Sequence, residues 1–211
     1  DKLPGAVELQ IGIASASRLS AGTAKSSIEM IPRGGMRREN GQLVPQPLGQ
    51  GAKKIRFSHR ELLTLPISWG DLETAFRSTG IPNITTYMAY PPRLVNSVRR
   101  YGSIVQKLAR IRVVRRAAQW MAELTFKGPN AELRHSSRSY LWAMARDALG
   151  NQAQAWLETM EAYQLTAVAG LRCVERLLAE RPQGALTPAQ AFGADFILEI
   201  EGSKRFDVLD P

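Results

Sequence analysis

The chain is expected to fold as α+β, with a mixed, mostly antiparallel sheet, helices packed on one face, and a helical insertion over about residues 91–127. Three observations predict this. Strand-like segments are interrupted by helical ones without the regular βα rhythm of a parallel sheet. Two pairs of strand-like segments, 54–57 with 62–67 and 139–146 with 152–160, are joined by short turns and read as antiparallel hairpins. The 211 residues, 44% apolar and 22% charged, suffice for one substantial core.

Residues 6–16 alternate Val7, Leu9, Ile11 and Ile13 against Glu8, Gln10 and Gly12, as a strand does. A small-residue turn then opens a helix reaching about Ile31, capped by Ser20 or Thr23 and stopped by Pro32 and Gly34-Gly35. Residues 33–53, rich in Gly, Pro and Arg, read as an irregular excursion whose strongest turn signal is Asn40-Gly41. The first hairpin turns at Ser58-His59-Arg60, and a short strand follows over 84–88. Pro91-Pro92 starts a long helical region in which Val95, Val98, Tyr101, Val105, Leu108 and Ile111 recur at helical spacing. A break is expected near Gly102, with helix resuming through Val114, Trp120 and Leu124. Residues 127–137 read as loop, and the second hairpin turns at 147–151. Residues 162–180 form an amphipathic helix with Leu165, Val168, Leu171, Val174 and Leu178 on its apolar side. Thr187-Pro188 begins a short helix, and residues 194–200 alternate as a final strand.

Composition narrows the classes. One cysteine, Cys173, permits no internal disulfide, and its leucine and valine neighbours predict a buried helical thiol. No run of 18 apolar residues occurs and no signal peptide is visible, and the expected location is the cytoplasm, free or at a membrane surface. The start at Asp1, followed almost at once by a strand, reads as a piece of a longer protein. Most of the +9 net charge falls between Pro91 and Lys127, where nine basic residues face one acid, Glu123. That segment is a solvated face beside a dimer core, an anionic-membrane surface, or a nucleic-acid face, the last without a recognised motif.

The stretch from Ser78 to Met88 crowds small, polar and rigid residues into a bend that supplies hydroxyls, an amide and backbone N–H groups. It follows Pro66-Ile67-Ser68-Trp69-Gly70-Asp71. With Ser20-Ala-Gly22-Thr23-Ala24, Gly34-Gly35, Arg37-Arg38, Asn40-Gly41, Glu161-Ala162-Tyr163-Gln164 and Thr187 through Phe196, these segments resemble the C-terminal domain of the saccharopine dehydrogenase-like oxidoreductases, which include the trans-acting enoyl reductases. The resemblance covers nearly the whole chain, with Ala162 standing where relatives usually have glycine. It implies residues 1–211 as one substrate-binding and dimerisation domain, partnered in the same protein by an N-terminal Rossmann domain that binds NAD(P). No G-x-G-x-x-G follows a strand here, so no cofactor is expected on this chain alone.

Hydride transfer asks the protein mainly to position the cofactor and polarise the acceptor. Ser20, Gly22 and Thr23 open a helix whose N–H groups favour a carboxylate or oxyanion, or form an ordinary cap. Trp69, Ser78, Thr79, Gly80 and Asn83 face substrate or cofactor, or build a structural Gly-Pro turn. Tyr163 is a candidate proton donor or a core tyrosine with its hydroxyl on the backbone. Arg33, Arg37 and Arg38 grip an anion or are solvated loop arginines. His59 and His135 lack companions at metal-ligand spacing, so no metal is expected.

Overall fold

The computed structural model describes residues 2–15 and 17–209. Strand β1 (Ala6–Ser15) lies at the centre of a nine-stranded mixed sheet; its predicted last residue, Ala16, falls outside the described residues. Helix α1 (Ala21–Met30) is capped by the Ser20 side chain and runs into a 3-10 turn, Ile31–Arg33. Strands β2 (Gly35–Glu39) and β3 (Gln42–Gln46) follow, then β4 (Lys53–Arg56) and β5 (Glu61–Ile67). Helix α2 (Asp71–Thr79) leads to β6 (Asn83–Ala89), and α3 (Pro92–Ala109), α4 (Arg112–Thr125) and the short α5 (Ala131–Ser136) form the insertion and its exit. The long hairpin β7 (Arg138–Asp147) and β8 (Gln152–Met160) precedes α6 (Ala162–Glu180), α7 (Pro188–Phe192), a 3-10 turn over Phe196–Glu199 and β9 (Lys204–Phe206).

The strand order is β3-β2-β6-β1-β7-β8-β9, and among the described residues only β1 and β6 pair in parallel. On its other side β6 takes two hairpins in succession: β2 meets it at Ile84, and β5 meets it from Thr86 to Ala89. The sheet therefore forks where the start of β2 and the end of β5 part. The core lies on the face where Ala14, Tyr87, Trp142 and Met144 meet Ile55 and Phe57 of the β4–β5 hairpin.

Several expectations are corrected. Residues 33–53 hold the β2–β3 hairpin around Asn40-Gly41; its buried positions are Gly35, Arg38 and Gln46, so no apolar alternation advertised it. Helix α2 was unforeseen because Leu72 is its sole buried residue. Residues 131–136 are helical, started by the Asn130 side chain accepting from Leu133 N–H at 2.8 Å. Residues 194–200 are not a strand: Phe196 and Ile200, four apart, are the buried pair while Leu198 is exposed, which is helical spacing. The break in the helical region falls at Arg110-Ile111, and α3 passes unbroken through Gly102.

Gly102 is there for close approach. A Cβ on it would stand 2.9 Å from the Leu48 carbonyl oxygen. Helix propensity alone favours Gly102→Ala by about 1 kcal/mol. The collision with backbone outweighs that, and a net loss of about 1–2 kcal/mol is expected from urea unfolding. A raised midpoint would show that α3 does not rest on Leu48.

Helix α6 spans the predicted residues but buries none of them, and Cys173 is half-buried rather than buried. Its expected apolar side, including Leu171 and Leu178, faces solvent.

Candidate functional site

The polar groups nominated near residue 20 and at residue 163 come together. Tyr163 lies in the first turn of α6, and Ser20 caps α1 directly after the central strand. The Ser20 N–H donates to Tyr163 Oη at 2.8 Å, and Thr23 Oγ1 lies 2.9 Å from the same oxygen. Ser20 Oγ accepts from the Thr23 N–H at 3.1 Å and sits 3.0 Å from Thr23 Oγ1. Burial, the largest single influence, pushes the Tyr163 phenol up, but the hydrogen bonds from Ser20 and Thr23 together outweigh it and hold its pKa below the ordinary value. The tyrosine is itself positioned by Glu161. That side chain is fully buried, and its Oε2 accepts from the N–H groups of Tyr163 at 2.9 Å and Gln164 at 3.0 Å.

Thr23 and Gly22 form one wall of a cavity of about 700 Å³. Its other walls are the start of β2 at Gly34-Gly35, Leu48, and the end of β5 running through Ser68, Trp69 and Gly70. The cavity therefore occupies the fork in the sheet. The cavity runs along one side of α1, past Gly22, Thr23, Ser26, Ser27 and Met30, while Ser20 and Tyr163 stand behind Thr23 and outside the lining. Ser68 Oγ is buried without a hydrogen-bond partner. Asp71, one residue beyond the lining Gly70, has its carboxyl pushed up by burial, only partly opposed by its own backbone N–H. Tyr90 also lines the cavity, and burial raises its phenol. Such a set suits a small molecule with a carboxylate or carbonyl and an apolar part.

The other nominated residues lie elsewhere. Ser78, Thr79 and Gly80 line a separate cavity of about 730 Å³, floored by Ala143, Ala145, Ala153 and Ala155, with no lining residue in common with the first. Ser78 Oγ and Thr79 Oγ1 donate back to the Thr74 and Ala75 carbonyls, and Gly80 ends α2 at a positive φ of 72°. Asn83 donates to the Val7 carbonyl at 2.8 Å and accepts from the Asn40 N–H at 2.9 Å, tying the β2–β3 turn to β1. These contacts make the bend the end of α2 and the anchor of a turn.

The three arginines also separate. Arg38 is 6% exposed; its Nε donates to the Leu72 carbonyl at 2.8 Å, its Nη1 to the Gly41 carbonyl at 2.5 Å and its Nη2 to Glu73, with the guanidinium over the Phe76 ring. Arg37 pairs with Glu39 at 2.8 Å. Arg33 is exposed at the end of the 3-10 turn beside Met30, which lines the first cavity. Among the described residues no group of three His, Cys, Asp or Glu side chains is placed to hold a metal. Sequence reasoning missed the orphaned hydroxyl of Ser68 and the role of Tyr90. Ser68 stood within a motif already singled out, while Tyr90 carried no signal before Pro91-Pro92.

No protein-family model matches this chain, and no curated protein matches it. Among solved structures the chain is similar to apo histidine-tagged saccharopine dehydrogenase (L-Glu forming) from Saccharomyces cerevisiae, at 9% identity and a TM-score of 0.49. The match covers 92% of this chain and 64% of that one, so this chain spans less than two thirds of that protein's length. A likeness at this level transfers no residue role.

Proposed function

We propose that this chain is the substrate-binding and dimerisation domain of an NAD(P)-dependent, saccharopine dehydrogenase-like oxidoreductase. In the intact protein hydride would pass to or from a C=N, C=O or activated C=C bond. The observation that carries this reading is the Tyr163 phenol, hydrogen-bonded to Ser20 and to Thr23, a residue that lines the cavity along α1. A nicotinamide held by a Rossmann domain of the same protein would supply the hydride. The residues of this chain do the rest. Tyr163 Oη holds a proton for the atom that gains negative charge, and the first-turn N–H groups of α1 orient a substrate carboxylate or the developing oxyanion. Trp69 and Leu48 wall off one side, and exposed Arg33 near the rim draws an anionic substrate in.

Two measurements test this. Spectrophotometric titration of the chain is expected to show one phenol ionising early, ahead of Tyr87 and Tyr90, both raised by burial. Tyr163→Phe should abolish that first step, and in the intact protein it should lower kcat by about 100-fold or more. An unchanged early step or unchanged kcat would remove Tyr163 as proton donor. Calorimetry on the 211-residue chain should detect at most weak NADPH binding. Submicromolar binding would overturn the division of labour between the two domains.

A further inference from the structure

Helices α3 and α4 are each two-faced, and the face that holds them to the protein is not their apolar one. On α3 the buried positions are Val95, Gly102 and Ala109, seven residues apart on one side. On α4 the inward side carries buried Ala122 and polar ties to α1: Arg115 and Gln119 to Glu29 at 3.2 and 2.9 Å, and Glu123 to Lys25 at 2.7 Å. The outward sides are apolar. Val113, Trp120, Met121 and Leu124 recur at helical spacing along α4 and are 76%, 63%, 61% and 60% exposed. Tyr101, Ile104, Val105 and Leu108 make the matching exposed stripe on α3.

Cations border these stripes. Arg93, Arg100 and Lys107, again seven apart, run along one edge of the α3 stripe, and Arg112 and Arg116 flank that of α4. None of the five has an ion-pair partner among the described residues, and the pairs that involve this segment use only Arg115 and Glu123. Over residues 92–125 there are eight basic residues and one acid.

We propose that α3 and α4 together lie on an anionic lipid surface, with Trp120, Leu124 and their neighbours in the acyl boundary and the arginines on the headgroups. An apolar stripe edged by free cations and carrying Trp and Tyr is what an interfacial helix presents. Charge selects this occupant. A two-fold contact between copies would set the same strongly basic patch against itself. A nucleic acid would answer the charge but leave the stripes of Val113, Met121 and Leu124 in water. No helix among the described residues is long and apolar enough to cross a membrane, so these helices lie on the surface. The inference is independent of the catalytic reading and survives its failure.

The test is co-sedimentation of the whole chain with vesicles of phosphatidylcholine alone and of an equimolar phosphatidylserine–phosphatidylcholine mixture. Binding is expected to the mixed vesicles only, with a blue shift in tryptophan emission that Trp120→Leu removes. Replacing Arg93, Arg100 and Lys107 together by glutamine should weaken binding by about 100-fold. Trp120→Ser with Leu124→Ser, both at exposed positions, should weaken it by about 10-fold or more while leaving the unfolding midpoint in place. Equal partition to neutral vesicles, no partition to mixed ones, or a dimer in solution that the serine variant dissociates would each overturn the proposal. So would tight binding to a DNA duplex that the serine variant leaves unchanged.

Discussion

Phe57→Ala is expected to lower the free energy of unfolding by about 3–5 kcal/mol, a large share of the roughly 5–15 kcal/mol available to an ordinary domain. The ring is completely buried and joins Ile55 of its own hairpin to Ala14, Tyr87, Trp142 and Met144 of the main sheet. Its backbone N–H also closes the β4–β5 turn on the Arg60 carbonyl at 3.0 Å. Truncation empties the point at which that hairpin grips the sheet, and surrounding strands cannot collapse into the space without losing register. The same hairpin ends in the Pro66–Gly70 wall of the candidate site, so ligand binding should weaken with it. Urea unfolding with an unchanged m-value measures the effect, and a loss below about 1 kcal/mol would mean that the hairpin is held some other way.

The second large effect is expected at Arg38. Arg38→Ala leaves the Gly41 carbonyl without its side-chain donor, worth about 1–3 kcal/mol when stranded away from water, and strips the Leu72 carbonyl of its bond beyond the helix. Stacking on Phe76 goes as well. The partner carboxylate behaves differently, because Glu73 is solvent-accessible and is also held by Arg77 at 2.8 Å. Glu73→Ala should therefore cost far less than Arg38→Ala. Equal effects from the two substitutions would show that the ion pair, rather than the buried bonds to carbonyls, carries the arginine's contribution. An anion-binding role for Arg38 would instead appear as a ligand-dependent stability that Arg38→Lys retains.

How much was legible in the sequence follows element by element. β1, the β4–β5 and β7–β8 hairpins, α1 and α6 announced themselves by alternation or by caps, because each has a repeating local pattern that backbone geometry converts directly into an element. The β2–β3 hairpin did not, since its inward residues are Gly, Arg and Gln, and the burial of the arginine depends on a partner in a distant segment. The strand expected at 194–200 failed for the converse reason: alternation over seven residues also fits a turn that buries Phe196 and Ile200 alone. For the site, residue types were legible and grouping was not. Ser20, Thr23 and Tyr163 were each nominated, but so were Ser78, Thr79 and Asn83, and chemistry alone could not say which set is joined by hydrogen bonds across the chain.

By itself, then, the sequence determined the α+β class, the hairpins with their turns, the cap of α1, the span of α6, and a basic amphipathic segment. Each of these is set by interactions within a few residues along the chain. Only the tertiary structure decided that Tyr163 meets Thr23 across 140 positions, that Ser78–Asn83 closes α2, and that the apolar sides of α3, α4 and α6 face outward. The physical reason is that burial and hydrogen-bond partnership belong to pairs of segments. A pattern in one segment declares that it has an apolar face or a free hydroxyl, and the fold alone decides what lies opposite.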